Sequence, residues 1–142
     1  MDLATAADFA RTHRQSVLVT MRGDGLPQLS NVLHNVGDDG IVRVSVTAGR
    51  AKYHNLVRQQ WAALHVSRAD FYAYAVLEGK VTLAPVAAAE DDATVEELVT
   101  LYRRLAGEHD DWATYRRSMV ADRRTVVRLT PTRAYGMLPA AS

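Results

Sequence analysis

Two clusters of glycine and aspartate, at residues 23–25 and 37–40, most constrain how this chain can fold. Each cluster separates segments rich in valine, leucine and threonine. Glycine and aspartate tolerate the backbone conformations that tight hairpin turns require. Residues 16–22, 27–36 and 41–47 are therefore predicted to be consecutive strands of an antiparallel meander. In the third segment valines alternate with polar residues, which is typical of a strand with one buried face.

The rest of the chain mixes helical and extended patterns. Helices are predicted at residues 6–14, at about 50–59, at 87–105 and after Asp110 or Asp111. Further strands are predicted at residues 61–67, at 72–84 with a bend at Gly79, and at 125–130 and 132–137 around Pro131. Thr5 is expected to cap the first helix, and Gly107 to end the third. Six or seven strands with outer helices indicate a small closed or nearly closed β-barrel in one domain, residues 1–142.

Composition excludes several classes of protein. The 142 residues are 48% hydrophobic, and 17 basic residues nearly balance 16 acidic ones, which gives no sign of nucleic-acid binding. Cysteine is absent, so disulfides, thiolate metal sites and cysteine nucleophiles are excluded. No apolar run is long enough for a membrane span, and the first residues lack a secretory pattern, so a cytoplasmic location is expected. Abundant alanine, arginine and valine with two lysines suggests a GC-rich bacterial source.

Motifs for metal binding and hydrolysis are missing. The five histidines do not form pairs at metal-ligand spacing, and no serine-nucleophile or phosphate-loop motif occurs. The sequence therefore predicts no metal site and no catalytic side chain.

The most unusual local chemistry follows the third strand. Ser45 and Thr47 share one strand face, and the chain then turns at Gly49 into a helix whose start carries Arg50 and Lys52. A helix N-terminus attracts anions, so cations placed there oppose the helix dipole unless a bound anion accompanies them. The segment predicts a phosphate-binding cradle; the alternative is that both cations extend into solvent.

A second candidate is the amide of Asn31. On the strand, Asn31 shares a face with Leu29 and Leu33, whereas Gln28 and Ser30 lie on the other face. We expect the apolar face to be buried, so that Asn31 is either a core amide bonded to backbone or a group that binds a ligand ring.

A third candidate is the alternation of aromatic residues and alanines at residues 71–75. Narrow space beside flat side chains suits a planar ring lying against a sheet. Ordinary packing within the barrel explains the same pattern equally well.

Taken in order, these segments resemble the pyridoxamine 5′-phosphate oxidase-like split barrels, most closely the actinobacterial branch that binds the deazaflavin coenzyme F420. The segments are Asp24-Gly25-x-Pro27-Gln28-Leu29-Ser30-Asn31, Arg50-Ala51-Lys52-x-x-Asn55-Leu56 and Tyr74-Ala75-x-x-Glu78-Gly79. The resemblance implies a six-stranded antiparallel split β-barrel of the FMN-binding type with outer helices. It also implies a homodimer that holds the cofactor at the subunit interface.

The resemblance further implies which residues bind the cofactor. They are Gln28, Ser30, Asn31, Ser45, Thr47, Arg50, Ala51, Lys52, Asn55, Tyr72, Tyr74 and Ala75. The basic pair and the two hydroxyls of the cradle would hold the phosphate, and Asn55 would orient the phosphate-binding helix. Asn31, with Gln28 and Ser30 nearby, would face the ring or its ribityl chain. Tyr72, Tyr74 and Ala75 would reach it from the partner chain.

The implied activity is that of a coenzyme F420H2-dependent reductase, which transfers a hydride from C5 of the deazaflavin to an unsaturated or electron-poor small organic substrate. One alternative is an FMN-dependent oxidoreductase like pyridoxamine phosphate oxidase, because FMN offers the same cradle a phosphate on a ribityl chain. Another is a non-catalytic F420 carrier. The basic residues and longer C-terminal region expected for pyridoxamine phosphate oxidation have no clear counterpart here.

Overall fold

The structure is a computed structural model that describes residues 1–139 and contains four helices and seven strands in that part of the chain. The helices are α1 (Leu3–Arg11), α2 (Ala51–Arg58), α3 (Ala93–Ala106) and α4 (Trp112–Ala121). The strands are β1 (Gln15–Met21), β2 (Pro27–Leu33), β3 (Asn35–Val36), β4 (Val42–Thr47), β5 (Trp61–Ser67), β6 (Tyr74–Leu83) and β7 (Arg124–Met137). The predicted class, mainly β with outer helices, is confirmed.

All the strands join one antiparallel sheet in the order β2-β1-β5-β6-β7-β4-β3. β2 and β3 lie at opposite edges of this sheet, yet only His34 separates them along the chain. The sheet must therefore curl until its two edges meet, which produces the split barrel that the sequence predicts.

The same residue explains why seven strands form instead of six. The predicted second strand, residues 27–36, divides at His34, because its first part pairs with β1 and its last two residues pair with β4. The His34 ring is buried, with Nδ1 2.7 Å from the Ser16 hydroxyl and Nε2 2.9 Å from the Ala10 carbonyl oxygen. These bonds anchor the chain where it passes from one edge to the other.

Three further predictions need correction. The predicted meander forms only in part, since the second strand pairs with the third through just its last two residues, β3, whereas β4 pairs with β7 along its whole length. Asp2, rather than Thr5, caps α1, because its carboxylate accepts the Thr5 N–H at 2.7 Å. The two predicted closing strands are one, β7, which continues past Pro131 opposite the predicted irregularity in β6 at Gly79.

The barrel interior is filled by aliphatic side chains from alternate positions of the strands, including Leu18, Val44, Leu64, Leu77 and Leu129. α1 contributes Ala6 and Ala10 to this core. Burying such side chains is the main source of stability in a fold of this size.

The outer face of the sheet is covered unevenly. α3 and α4 pack over β7, where Val126 contacts a second cluster that contains Leu98 and Met119. On the opposite side Leu29, Leu33 and Met137 are 64%, 53% and 64% exposed. No helix within residues 1–139 has the length and apolar character needed to cross a membrane.

Candidate functional site

The pairing of β4 with β7 assembles the predicted cradle. Thr47 lies opposite Arg124 and Ser45 lies opposite Val126, so Ser45, Thr47 and Arg124 share the outer face of the sheet. An Arg124 Nη1 group lies 3.5 Å from the Ser45 hydroxyl oxygen. Immediately beyond Thr47 the chain enters α2, whose N-cap is Arg50. The cradle therefore combines two strands and the start of a helix.

Positive charge in the cradle is not neutralised by the protein. Arg50, Lys52 and Arg124 form no ion pair with a carboxylate among residues 1–139. Burial, followed by the charges of Arg50 and Arg124, lowers the pKa of Lys52. By contrast, Arg128 on the same strand bonds Glu97 through two of its nitrogens. The cradle thus concentrates cations that only a bound anion would compensate.

Arg124 carries the clearest sign of a missing partner. Its Nε atom is buried and has no hydrogen-bond acceptor within the described part of the chain. Buried polar groups are nearly always hydrogen-bonded in native proteins, and an unpaired charged donor is costly. A phosphate group fits this arrangement, since it would accept bonds from the guanidinium groups, the Lys52 ammonium, the hydroxyls of Ser45 and Thr47, and the first N–H groups of α2.

Asn55 connects α2 to the other edge of the barrel. The side chain is buried, and its Nδ2 donates to the Thr20 hydroxyl of β1 at 3.1 Å and to Gln28 Oε1 of β2 at 3.0 Å. α2 begins directly after β4 and so spans the opening between the two sheet edges. Asn55 thereby holds the helix that carries Arg50 and Lys52 close to Gln28.

The expectation that Asn31 is buried is wrong for the single chain. Asn31 is exposed together with Leu29 and Leu33, whereas Gln28 and Ser30 turn inward and are half-buried. The reason is that β2 is an edge strand whose outer face is not covered by a helix. Asn31 lines an open cavity of about 550 Å³.

The aromatic segment lies at the same end of the sheet. Tyr72 is 80% exposed in the turn before β6, and the half-buried Tyr74 stacks on His65 with ring centroids 5.4 Å apart. Ala75 is fully buried in the barrel core, so its side chain faces away from any outer ligand. Ala51 is exposed in the first turn of α2. The single chain therefore joins the cradle residues into one cluster but leaves the tyrosines apart from it.

Arg124 is the cradle residue that sequence reasoning missed. The available signal was an arginine at the start of the last strand, but the sequence does not reveal that this strand pairs with β4 in a register that sets Arg124 opposite Thr47. Among residues 1–139, no three histidine, aspartate or glutamate side chains are grouped so as to hold a metal ion.

The sequence of the whole barrel matches a known family. A family model described as pyridoxamine 5′-phosphate oxidase matches residues 3–138. The chain belongs to this family. Membership in the pyridoxamine 5′-phosphate oxidase family confirms the prediction made from the three sequence motifs.

Solved structures agree with the pyridoxamine 5′-phosphate oxidase fold. The chain is similar to the conserved hypothetical protein Rv2991 from Mycobacterium tuberculosis, with 24% identity and a TM-score of 0.75 over 100% of this chain and 91% of that one. It is similar to a protein described as an F420 reductase, with 22% identity and a TM-score of 0.69 over 90% and 94% of the two chains. It also resembles an FMN-binding, pyridoxamine 5′-phosphate oxidase-related protein from Nostoc punctiforme, with 16% identity and a TM-score of 0.61 over 94% and 80%. At these identities the likeness establishes the shared fold.

Proposed function

We propose that this chain is an F420H2-dependent reductase acting on an unsaturated or electron-poor small organic substrate. The observation that carries the proposal is the uncompensated cradle, in which Arg124 Nε is buried without a partner among residues 1–139, beside Lys52 and Arg50. A phosphorylated ring cofactor would supply the missing acceptor. The family match and the similarity to a protein described as an F420 reductase support this class of cofactor.

In this proposal the cradle residues bind and orient the cofactor. Arg124 and Arg50 donate paired N–H groups to the phosphate, and Lys52 acts as a point charge. Ser45 and Thr47 add hydroxyl donors from β4. When bound, reduced F420 supplies a hydride from C5 of its ring, so the protein contributes position and charge rather than an acid–base pair.

The ring is proposed to lie toward β2. Gln28 is bonded to Asn55 of α2, the helix that carries the cradle cations, so β2 offers an amide beside that helix. Asn31 lies on the outer face of β2 beside an open cavity. Holding the ring and substrate together would raise the rate through proximity. Ser30, half-buried on the same strand, adds a hydroxyl to this wall of the site.

We further propose that the active protein is a homodimer. The uncovered side of the sheet exposes Leu29, Leu33 and Met137, and such apolar patches mark interaction surfaces. A second copy packed there would bury them and bring Tyr72 and Tyr74 of the partner subunit to the site. Because the Ala75 side chain lies in the core, only its backbone could contribute.

FMN is the alternative cofactor, because its phosphate fits the same cradle, and an FMN-binding protein shares the fold. The colour of the purified protein separates the two. A colourless protein that binds added F420 tightly supports the deazaflavin proposal, whereas a yellow protein with flavin fluorescence would replace it with the FMN proposal. Substrate-dependent oxidation of F420H2, screened with quinones, enones and nitro compounds, separates a reductase from a non-catalytic F420 carrier.

The cradle itself is tested by changing Arg50 and Lys52 together to alanine. Charge-assisted bonds contribute about 1.5–3 kcal/mol each, so the double variant is expected to lose several kcal/mol of binding free energy for either cofactor. Arg104→Ala, on the exposed face of α3, is the control that removes positive charge elsewhere. Parental affinity in the double variant would show that the phosphate binds elsewhere.

A further inference from the structure

Three side chains form a hydrogen-bonded chain from the end of α2 to β2. Arg58 Nη2 donates to Asn55 Oδ1 at 2.9 Å and to the Met21 carbonyl oxygen at 3.1 Å. Asn55 Nδ2 then donates to Gln28 Oε1 at 3.0 Å and to the Thr20 hydroxyl at 3.1 Å. Every polar atom of the buried Asn55 amide is thus engaged.

The direction of this chain is set by Arg58. A guanidinium group can only donate hydrogen bonds, so the atom of Asn55 that faces it must be the carbonyl oxygen. The Asn55 nitrogen must then face Gln28, and because that nitrogen donates, Gln28 must present its own oxygen. The Gln28 Nε2 group is left to donate elsewhere.

Gln28 is hydrogen-bonded to the helix that carries the proposed phosphate site. Asn55 follows Lys52 by three residues on α2, so the two side chains lie on one face of the helix, about one turn apart. A ligand whose phosphate rests on Lys52 therefore extends its next atoms past Gln28 when it runs toward β2.

We propose that Arg58 is a positioning residue that fixes Gln28 as a hydrogen-bond donor to the bound cofactor. The site then selects a cofactor that presents an acceptor at this point, such as a ring carbonyl oxygen, a ribityl hydroxyl or a deprotonated ring nitrogen. Arg58 acts only through Asn55 and does not touch the ligand. This inference rests on the proposed function, since it requires a phosphorylated ring cofactor in the cradle.

The test is a double-mutant cycle on binding, with F420 and FMN each titrated into the purified protein. Gln28→Met keeps the size of the side chain but removes the donor, and it is expected to weaken binding about three- to tenfold, the effect of one hydrogen bond. Arg58→Met is expected to weaken binding by a similar factor, whereas Arg58→Lys, which still only donates, stays within about twofold of the parent.

The cycle separates positioning from a structural role. In the Gln28→Met background the Arg58→Met change is expected to have no further effect on affinity, because the donor that it orients is already absent. An Arg58→Met loss that is equally large in both backgrounds would mean that Arg58 only supports α2, and would overturn the proposal. If a cofactor binds but Gln28→Met leaves affinity unchanged, only this inference fails. If neither F420 nor FMN binds the parent protein, the proposed function fails with it.

Discussion

Replacing Arg124 by methionine is expected to stabilise the ligand-free protein while weakening cofactor binding. Within the described part of the chain, Arg124 Nε is buried and unpaired, and Nη1 makes only a long contact with Ser45 at 3.5 Å. The positive charge of Arg124 also opposes that of Lys52. Methionine keeps an unbranched apolar stem of similar reach but removes the guanidinium. The two effects have opposite signs, which a residue that merely holds β7 in place would not produce.

The magnitudes follow from the contacts. An unsatisfied buried polar group costs about 1–3 kcal/mol, and the weak bond to Ser45 offsets about 0.5–1 kcal/mol of this, so the free energy of unfolding should rise by about 1 kcal/mol. With ligand, losing charge-assisted bonds worth about 1.5–3 kcal/mol should weaken binding about 10- to 150-fold.

Urea unfolding of the ligand-free protein gives the first quantity, and titration with F420 or FMN gives the second. Arg117→Met is the matched control, because it removes the same charge from the exposed surface of α4, where the guanidinium bonds the Thr114 hydroxyl. The control should change neither quantity beyond about 0.5 kcal/mol. A less stable Arg124→Met protein with unchanged cofactor affinity would refute the assignment of Arg124 to the cradle.

Three further predictions concern pH and association. Burial and two neighbouring arginines lower the pKa of Lys52, so the unfolded chain binds more protons than the folded protein between that lowered pKa and 10.5. The free energy of unfolding should therefore rise with pH in this range, and Lys52→Met should reduce that slope in urea titrations. Burial lowers the pKa of His34, so the free energy of unfolding should fall as pH drops below 6.5. Urea unfolding at about pH 7.5 and about pH 5.5 should show this loss in the parent protein but not in His34→Gln. Leu29→Arg, on the uncovered sheet face, should convert the proposed dimer to monomers in light scattering, whereas Leu26→Arg, exposed in the adjacent turn, should not. A dimer that persists in the Leu29→Arg variant would contradict this interface.

Local signals predicted most of the elements, because turns and periodicity depend on neighbouring residues. The irregularity at Gly79 is an example, since a Cβ there would collide with the Thr130 carbonyl oxygen of β7. Which strands pair with each other was harder to predict from the sequence. The alternation in β4 is compatible with pairing to β2 or to β7, and only the packed barrel decides between them.

The same distinction applies to the candidate site. Ser45, Thr47, Arg50 and Lys52 lie within eight residues of one another, so their local geometry was predictable from a strand followed by a helix. Arg124 lies 72 positions after Lys52, and it joins the cradle only because the register between β4 and β7 places it opposite Thr47. Which face of β2 is buried depends on which part of the sheet the helices cover, and no pattern within β2 itself contains that information.

The position of α2 connects these observations to function. The helix starts at the cradle on β4 and is bonded through Asn55 to β1 and β2, so one element spans the opening between the sheet edges and holds both ends of the proposed cofactor site. A phosphate cradle alone would bind any phosphorylated ligand. In the proposed function, connecting the cradle to an amide on β2 would fix the distance between phosphate and ring, and that distance would orient the hydride donor toward its substrate. On this proposal, selection for a ring cofactor would reside in the connection between the cradle and β2 rather than in the cradle itself.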